Sequence, residues 1–201
     1  TAAGSPPATI VASSAATLFG TYAFNLSQSD LATDITQLEF TMYGSANASD
    51  ISYIQVFKDA ASSKNCVYNA GTDTQVGSNL TLAGNPPTAT ASFSAGDIST
   101  DGSAQACVHV LVVTSATAQA GNTIGMSVES TSDVTNSRTG GGSYSFGVTS
   151  SPPVRPGIST IKGTVSHWDG SSSTLWTTNG NWSPNTAPTS NAILTASEIR
   201  S

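Results

Sequence analysis

Apolar residues in this chain recur at every second position in short runs, and good helix formers never hold a 3.6 period for more than a turn or two. That spacing gives a pleated strand one apolar face and gives a helix no coherent stripe, so it restricts the chain to all-β folds. In residues 18–26 the predicted shared face is Leu18, Gly20, Tyr22, Phe24 and Leu26. In residues 35–43 it is Leu38, Phe40 and Met42. Residues 51–57, 88–93 and 123–129, and the trio Tyr144, Phe146 and Val148, read the same way. Residues 8–13 form a weaker first strand, and 66–68 and 74–82 are short strands at best. The strongest strand, 106–114, carries Val108, Val110 and Val112 on one side and Cys107, His109, Leu111 and Val113 on the other. Apolar residues on both faces mark it as central.

Breaks separate these runs: Gly44-Ser45-Ala46-Asn47, Lys58-Asp59, Asn85-Pro86-Pro87, residues 97–102 and Gly140-Gly141-Gly142. Proline lacks the ladder donor, so 85–87 cannot lie in a central strand. Eight or nine short strands without helices imply an antiparallel β-sandwich, of Ig-like or jelly-roll topology. A β-helix would show a fixed rung length, and residues 1–150 have none. The expected division is a sandwich domain over 1–149, a stiff proline-rich linker over 150–157, and an extended, Trp-containing C-terminal β tail or partial second domain over 158–201.

Composition narrows the partners. Only 9% of the 201 residues are charged, and six basic residues face twelve acidic ones. An ordinary soluble domain carries about 25% charge. The basic residues are scattered, so no phosphate-binding stripe exists and nucleic acid is not expected as a partner. No apolar run approaches the roughly 20 residues of a membrane span. The start, Thr1-Ala2-Ala3-Gly4-Ser5-Pro6-Pro7, suits a terminus left by export cleavage. Cys66 and Cys107 come without any C-x-x-C or metal-ligand spacing, and in a hydroxyl-rich chain an even pair implies a disulfide and an oxidising compartment. The expected location is extracellular or on the cell surface.

Catalytic groups do not assemble from the sequence. There is no G-x-S-x-G, phosphate loop, H-E-x-x-H or C-x-x-C-H. Cys107 and His109 could form a nucleophile pair, but the disulfide claims the cysteine, so His109 reads as structural. Asp30 with Asp34, and Asp97 with Asp101, lie in expected turns, where Asp bonds its own backbone. Glu39 and Glu129 lie in strands with nothing to pair them. Residues 97–102 are the nearest approach to a calcium loop and do not match one. The expectation is no catalytic residue, no metal and no cofactor.

Two resemblances add to this reading. The stretches TYAFNLSQSD, ITQLEFTMYG and ISYIQVFKD resemble the Ig-like modules of secreted bacterial surface proteins. The tail reads His167-Trp168-Asp169-Gly170, Trp176, Asn181-Trp182-Ser183-Pro184, then Pro188-Thr189 and Asn191. It resembles the W-D-G…W…N-W-S…P-T-x-x-D segment of large bacterial surface proteins, which there opens an autotransporter-type β-helical region. Asn191 departs from that pattern, where an acidic residue is usual.

The expected function is therefore a non-catalytic structural subunit of a surface assembly (filament, sheath or adhesin stalk). Its partners would be other copies of itself, joined by strand addition through the extended segments at both ends. Ile158, Ile161, Val165, Trp168, Trp176 and Trp182 are the expected assembly or ligand contacts. On that reading, removing residues 152–201 leaves a folded monomer. The alternative is a carbohydrate-binding module whose three tryptophans stack on surface polysaccharide.

Overall fold

The computed structural model describes residues 4–12, 15–26, 33–60, 65–100, 105–137, 144–146, 152–163, 167–168, 172–173, 175, 178–179 and 182–183. Two units divide the chain, Thr1–Gly163 and Thr164–Ser201. The first unit is all-β, with only single 3-10 turns at Ala48–Asp50 and Thr131–Asp133 among the described residues. Its strands are β1 (Thr9–Val11), β2 (Thr17–Leu26), β3 (Thr33–Gly44), β4 (Ile51–Lys58), β5 (Thr74–Gln75), β6 (Thr88–Ser92), β7 (Ser99–Thr100), β8 (Ala106–Thr114), β9 (Thr123–Ser127), β10 (Val134–Asn136), β11 (Tyr144–Phe146) and β12 (Ser159–Lys162).

Two sheets make the sandwich. One runs β11-β2-β8-β4-β5; the other runs β1-β12-β9-β3-β10, with β6 and β7 also paired to β3. Each long strand crosses to the opposite sheet from its predecessor, so β2, β3, β4, β6, β8 and β9 alternate between the two. β8 is central as expected, flanked by β2 and β4 along most of its length. Its Val108, Val110 and Val112 are fully buried in the core. They share that core with Phe19, Tyr22 and Phe24 of β2, Ile54 and Val56 of β4, Leu38, Phe40 and Met42 of β3, and Ile124 and Met126 of β9. The Tyr22 hydroxyl donates to Met126 O at 2.8 Å, tying one sheet to the other, and its ring lies 5.5 Å from that of Phe40. Full burial pushes the Tyr22 pKa up, so the phenol stays a neutral donor.

The predicted face of β2 needs correction. The β2–β8 register shifts between Leu18 and Gly20, a β-bulge that places Phe19 in the core and leaves Leu18 only partly buried. An extra residue in one strand inverts the in/out alternation beyond it. β4 repeats the device between Ile51 and Tyr53, which is how Ile51 and Ile54, three apart, are both buried.

The division of the chain also differs from expectation. Residues 152–157 are no free linker. Val154 exchanges backbone hydrogen bonds with Val128 at 2.8 and 3.2 Å, and the Tyr43 hydroxyl donates to Gly157 O at 2.5 Å. Pro156 lies so close over Gly20 that a Cβ there would come within 2.6 Å of its ring. The prolines keep this segment extended, and an extended strap can lie along a sheet as readily as it can bridge domains. β12 then enters the seven-stranded sheet between β1 and β9, and the boundary falls after Gly163 rather than at 149.

In the second unit, β13 (His167–Trp168) pairs antiparallel with β14 (Trp182–Ser183), with Trp168 and Trp182 in register. Val165 and Trp176 lie outside the described residues, as do Asp30, Asp101, Gly140-Gly141-Gly142 and Val148.

Candidate functional sites

The outward face of β8 holds the most unusual chemistry. Alternation with the core valines turns Cys107, His109 and Leu111 away from the sandwich interior, yet all three are buried. Asp59, Cys66, Tyr68 and Asp73 lie against Cys107 and His109. Cys66 and Cys107 form the expected disulfide, with Cα atoms 5.3 Å apart. Cys66 adopts a left-handed backbone (φ 58°), and its N–H donates to Asp59 Oδ2 at 2.8 Å. The ring of Tyr68 sits 5.5 Å from that of His109 and 5.4 Å from that of Phe57, edge-on to both. On the other flank, Gly4 approaches Thr21 so closely that a Cβ would lie 2.7 Å from its hydroxyl.

His109 is 0% exposed. Its Nδ1 shares a 2.8 Å hydrogen bond with Thr21 Oγ1, and its Nε2 faces Asp73 Oδ2 at 3.5 Å, too long for a hydrogen bond. Asp73 is itself buried and accepts from Ala60 N (3.1 Å) and Asn69 N (2.7 Å). Burial lowers the His109 pKa, opposed by the negative charges of Asp73 and Asp59. His109 is thus enclosed within the fold, and Cys107 is consumed by the disulfide, which removes it as a nucleophile. Nothing in the sequence marks Asp59 and Asp73 as converging on His109, because the convergence depends on tertiary contacts that bring two residues 14 apart onto the middle of β8.

A second site is a surface cleft of about 800 Å³ at the end of β3, lined among others by Tyr43, Asn47, Asn85, Glu129 and Arg155. The Tyr43 ring covers Gly125 on β9, where any Cβ would overlap it. The Arg155 guanidinium lies 5.1 Å from the centre of that ring and grips Glu129 through both carboxylate oxygens at 2.9–3.2 Å. Arg155, then the Ser127 hydroxyl, hold the Glu129 carboxyl below the usual range. Glu129 therefore has a partner that the sequence did not reveal, because Arg155 reaches it from the strap once read as a linker.

The other expected residues are dispersed. Ile161 is 1% exposed and part of the core, whereas Ile158 is 48% exposed. Asp97 closes its own turn by accepting from Ser94 N at 3.0 Å and pairs with Lys58 at 3.3 Å. Asp34 accepts from Gly96 N and the Ser99 hydroxyl. Glu39 receives the Thr90 hydroxyl at 3.3 Å, whereas Glu129 is held by Arg155. No helix of the described residues is long and apolar enough to cross a membrane. Comparison with protein-family models, curated proteins and solved structures returned no match.

Proposed function

We propose that the chain is a non-catalytic, load-bearing structural module of an extracellular surface assembly, such as an adhesin stalk or filament. The observation that carries this reading is the parallel pairing of β1 with β12, in which Thr9, Ile10 and Val11 lie opposite Thr160, Ile161 and Lys162. Parallel strands put Ala8 and Ile158 at one pole of the sandwich, and Ala12 and Gly163 at the other. The chain thus enters β1 from one pole and leaves β12 at the opposite one. Tension along the chain pulls the two strands past each other, loading their hydrogen bonds together rather than one at a time. These include Thr160 N to Ala8 O at 3.0 Å and Ala12 N to Lys162 O at 2.9 Å. Low charge and the disulfide suit the same role in an exposed, oxidising place.

The two segments expected to reach into a neighbouring copy are here partners of each other. Strand addition between copies therefore falls to the outer side of β1, which ends the order of its sheet. The test is single-molecule force spectroscopy with the attachment points placed before residue 9 and after residue 163. Unfolding forces well above those of the same protein pulled apart across β4 and β5 support the proposal. Equal or lower forces contradict it. A second reading, carbohydrate binding, draws on the Tyr43–Arg155 cleft, whose aromatic and polar lining suits a sugar. Retention on surface polysaccharide that is lost in Tyr43→Ala supports that alternative.

A further inference from the structure

We infer that His109, Asp73 and Asp59 form a binding site for one divalent transition-metal ion of the zinc class, beneath the loop that the disulfide closes. The three donor atoms lie within 4.8 Å of one another. His109 Nε2 is a fully buried nitrogen without a hydrogen-bond partner. Neither tautomer relieves it. If Nδ1 holds the proton and donates to Thr21 Oγ1, the lone pair of Nε2 points at a carboxylate oxygen and a cation is wanted between them. If Nε2 holds it, the nearest acceptor is 3.5 Å away. That separation matches two ligands on one tetrahedral zinc ion, each about 2.1 Å from it and therefore about 3.4 Å apart.

Asp73 has capacity to spare. An ionised carboxylate offers about four lone-pair sites, and the backbone N–H groups of Ala60 and Asn69 take two of those of Asp73. The bond from Nδ1 to Thr21 is the outer contact that orients a metal-binding imidazole. Two carboxylates and a neutral imidazole around a divalent ion leave no net charge in this buried place. Imidazole among the ligands favours zinc, nickel or copper over calcium or magnesium. The ion would tie Asp59 and Asp73 to the centre of β8, beside the disulfide and independently of it.

The experiment uses the full chain, stripped with EDTA and titrated with Zn2+ or with Co2+ as a coloured substitute. The expected result is one equivalent bound, with visible Co2+ absorption of a low-coordinate site. A hundredfold excess over the dissociation constant should raise the thermal midpoint by roughly 5–10 °C. Asp73→Asn and His109→Gln should abolish binding, and His167→Ala should leave it unchanged. Should either of the first two variants fail to fold, Asp59→Asn removes a less buried ligand and should weaken binding at least about tenfold. No stoichiometric uptake by the unaltered protein overturns the inference. So does uptake that survives Asp73→Asn or Asp59→Asn undiminished, or that disappears with His167→Ala.

Discussion

At the scale of single residues, Asp50 shows how this charge-poor protein uses a carboxylate. It is 2% exposed. It accepts from Asn47 N at 2.9 Å, Gln119 N at 2.8 Å and Asn122 Nδ2 at 3.1 Å, joining the turn before β4 to the loop before β9. Burial alone would raise its pKa, but these three donors prevail and hold it below the ordinary value. A depressed carboxyl contributes stability that is complete above the unfolded pKa of about 3.9 and is lost as pH falls through the lower folded value. Asp50→Ala should cost about 3 kcal/mol in urea unfolding at pH 7, since buried donors lose their acceptor. Asp50→Asn should flatten the fall in stability below about pH 4. None of this was legible in the sequence, where Asp50 only precedes the strand at 51–57 and its distal donors lie 69 and 72 residues away. The same holds for Asp59, Asp73 and His109. The disulfide was legible, because two cysteines in a chain of this composition have few other uses.

At the scale of elements, the strands were readable because alternation is local. Residues 106–114 match β8 from end to end. Register was less readable. A β-bulge is one residue of phase, set by the partner strand, so the core side of β2 was assigned to Leu18 where Phe19 belongs. Phe19→Ala should therefore cost about 3–5 kcal/mol and Leu18→Ala clearly less, by chemical denaturation. The reverse order would mean that the β2–β8 register lacks its bulge. β7 and β10, at two and three residues, were not recognised, since they exist through pairing with β3 rather than through any pattern of their own. The disulfide closes a loop with a sequence separation of 41. Replacing both cysteines with alanine should remove about 4 kcal/mol on the loop-entropy estimate, measured as the loss of unfolding free energy from urea curves in which midpoint and slope are both fitted.

At the scale of the whole molecule, the all-β sandwich followed from the alternation alone, whereas the domain boundary did not. Prolines at 152, 153 and 156 read as a spacer, and only the finished sheet shows that this strap carries Val154, Arg155 and then β12 into the sandwich. A truncation at residue 151 should thus fail to leave a stable monomer, because it takes Ile161 out of the core and uncovers β9. A truncation after Gly163 should keep the cooperative unfolding of the first unit by circular dichroism. The chain runs through this module from pole to pole, with β1 and β12 paired inside one copy. Thr9 and Thr160 are direct partners in that pairing. The double variant Thr9→Cys with Thr160→Cys, mildly oxidised and read by mass spectrometry and non-reducing electrophoresis, should form one bond within a monomer. Covalent ladders of two or more chains, or no bond between these positions, would contradict it.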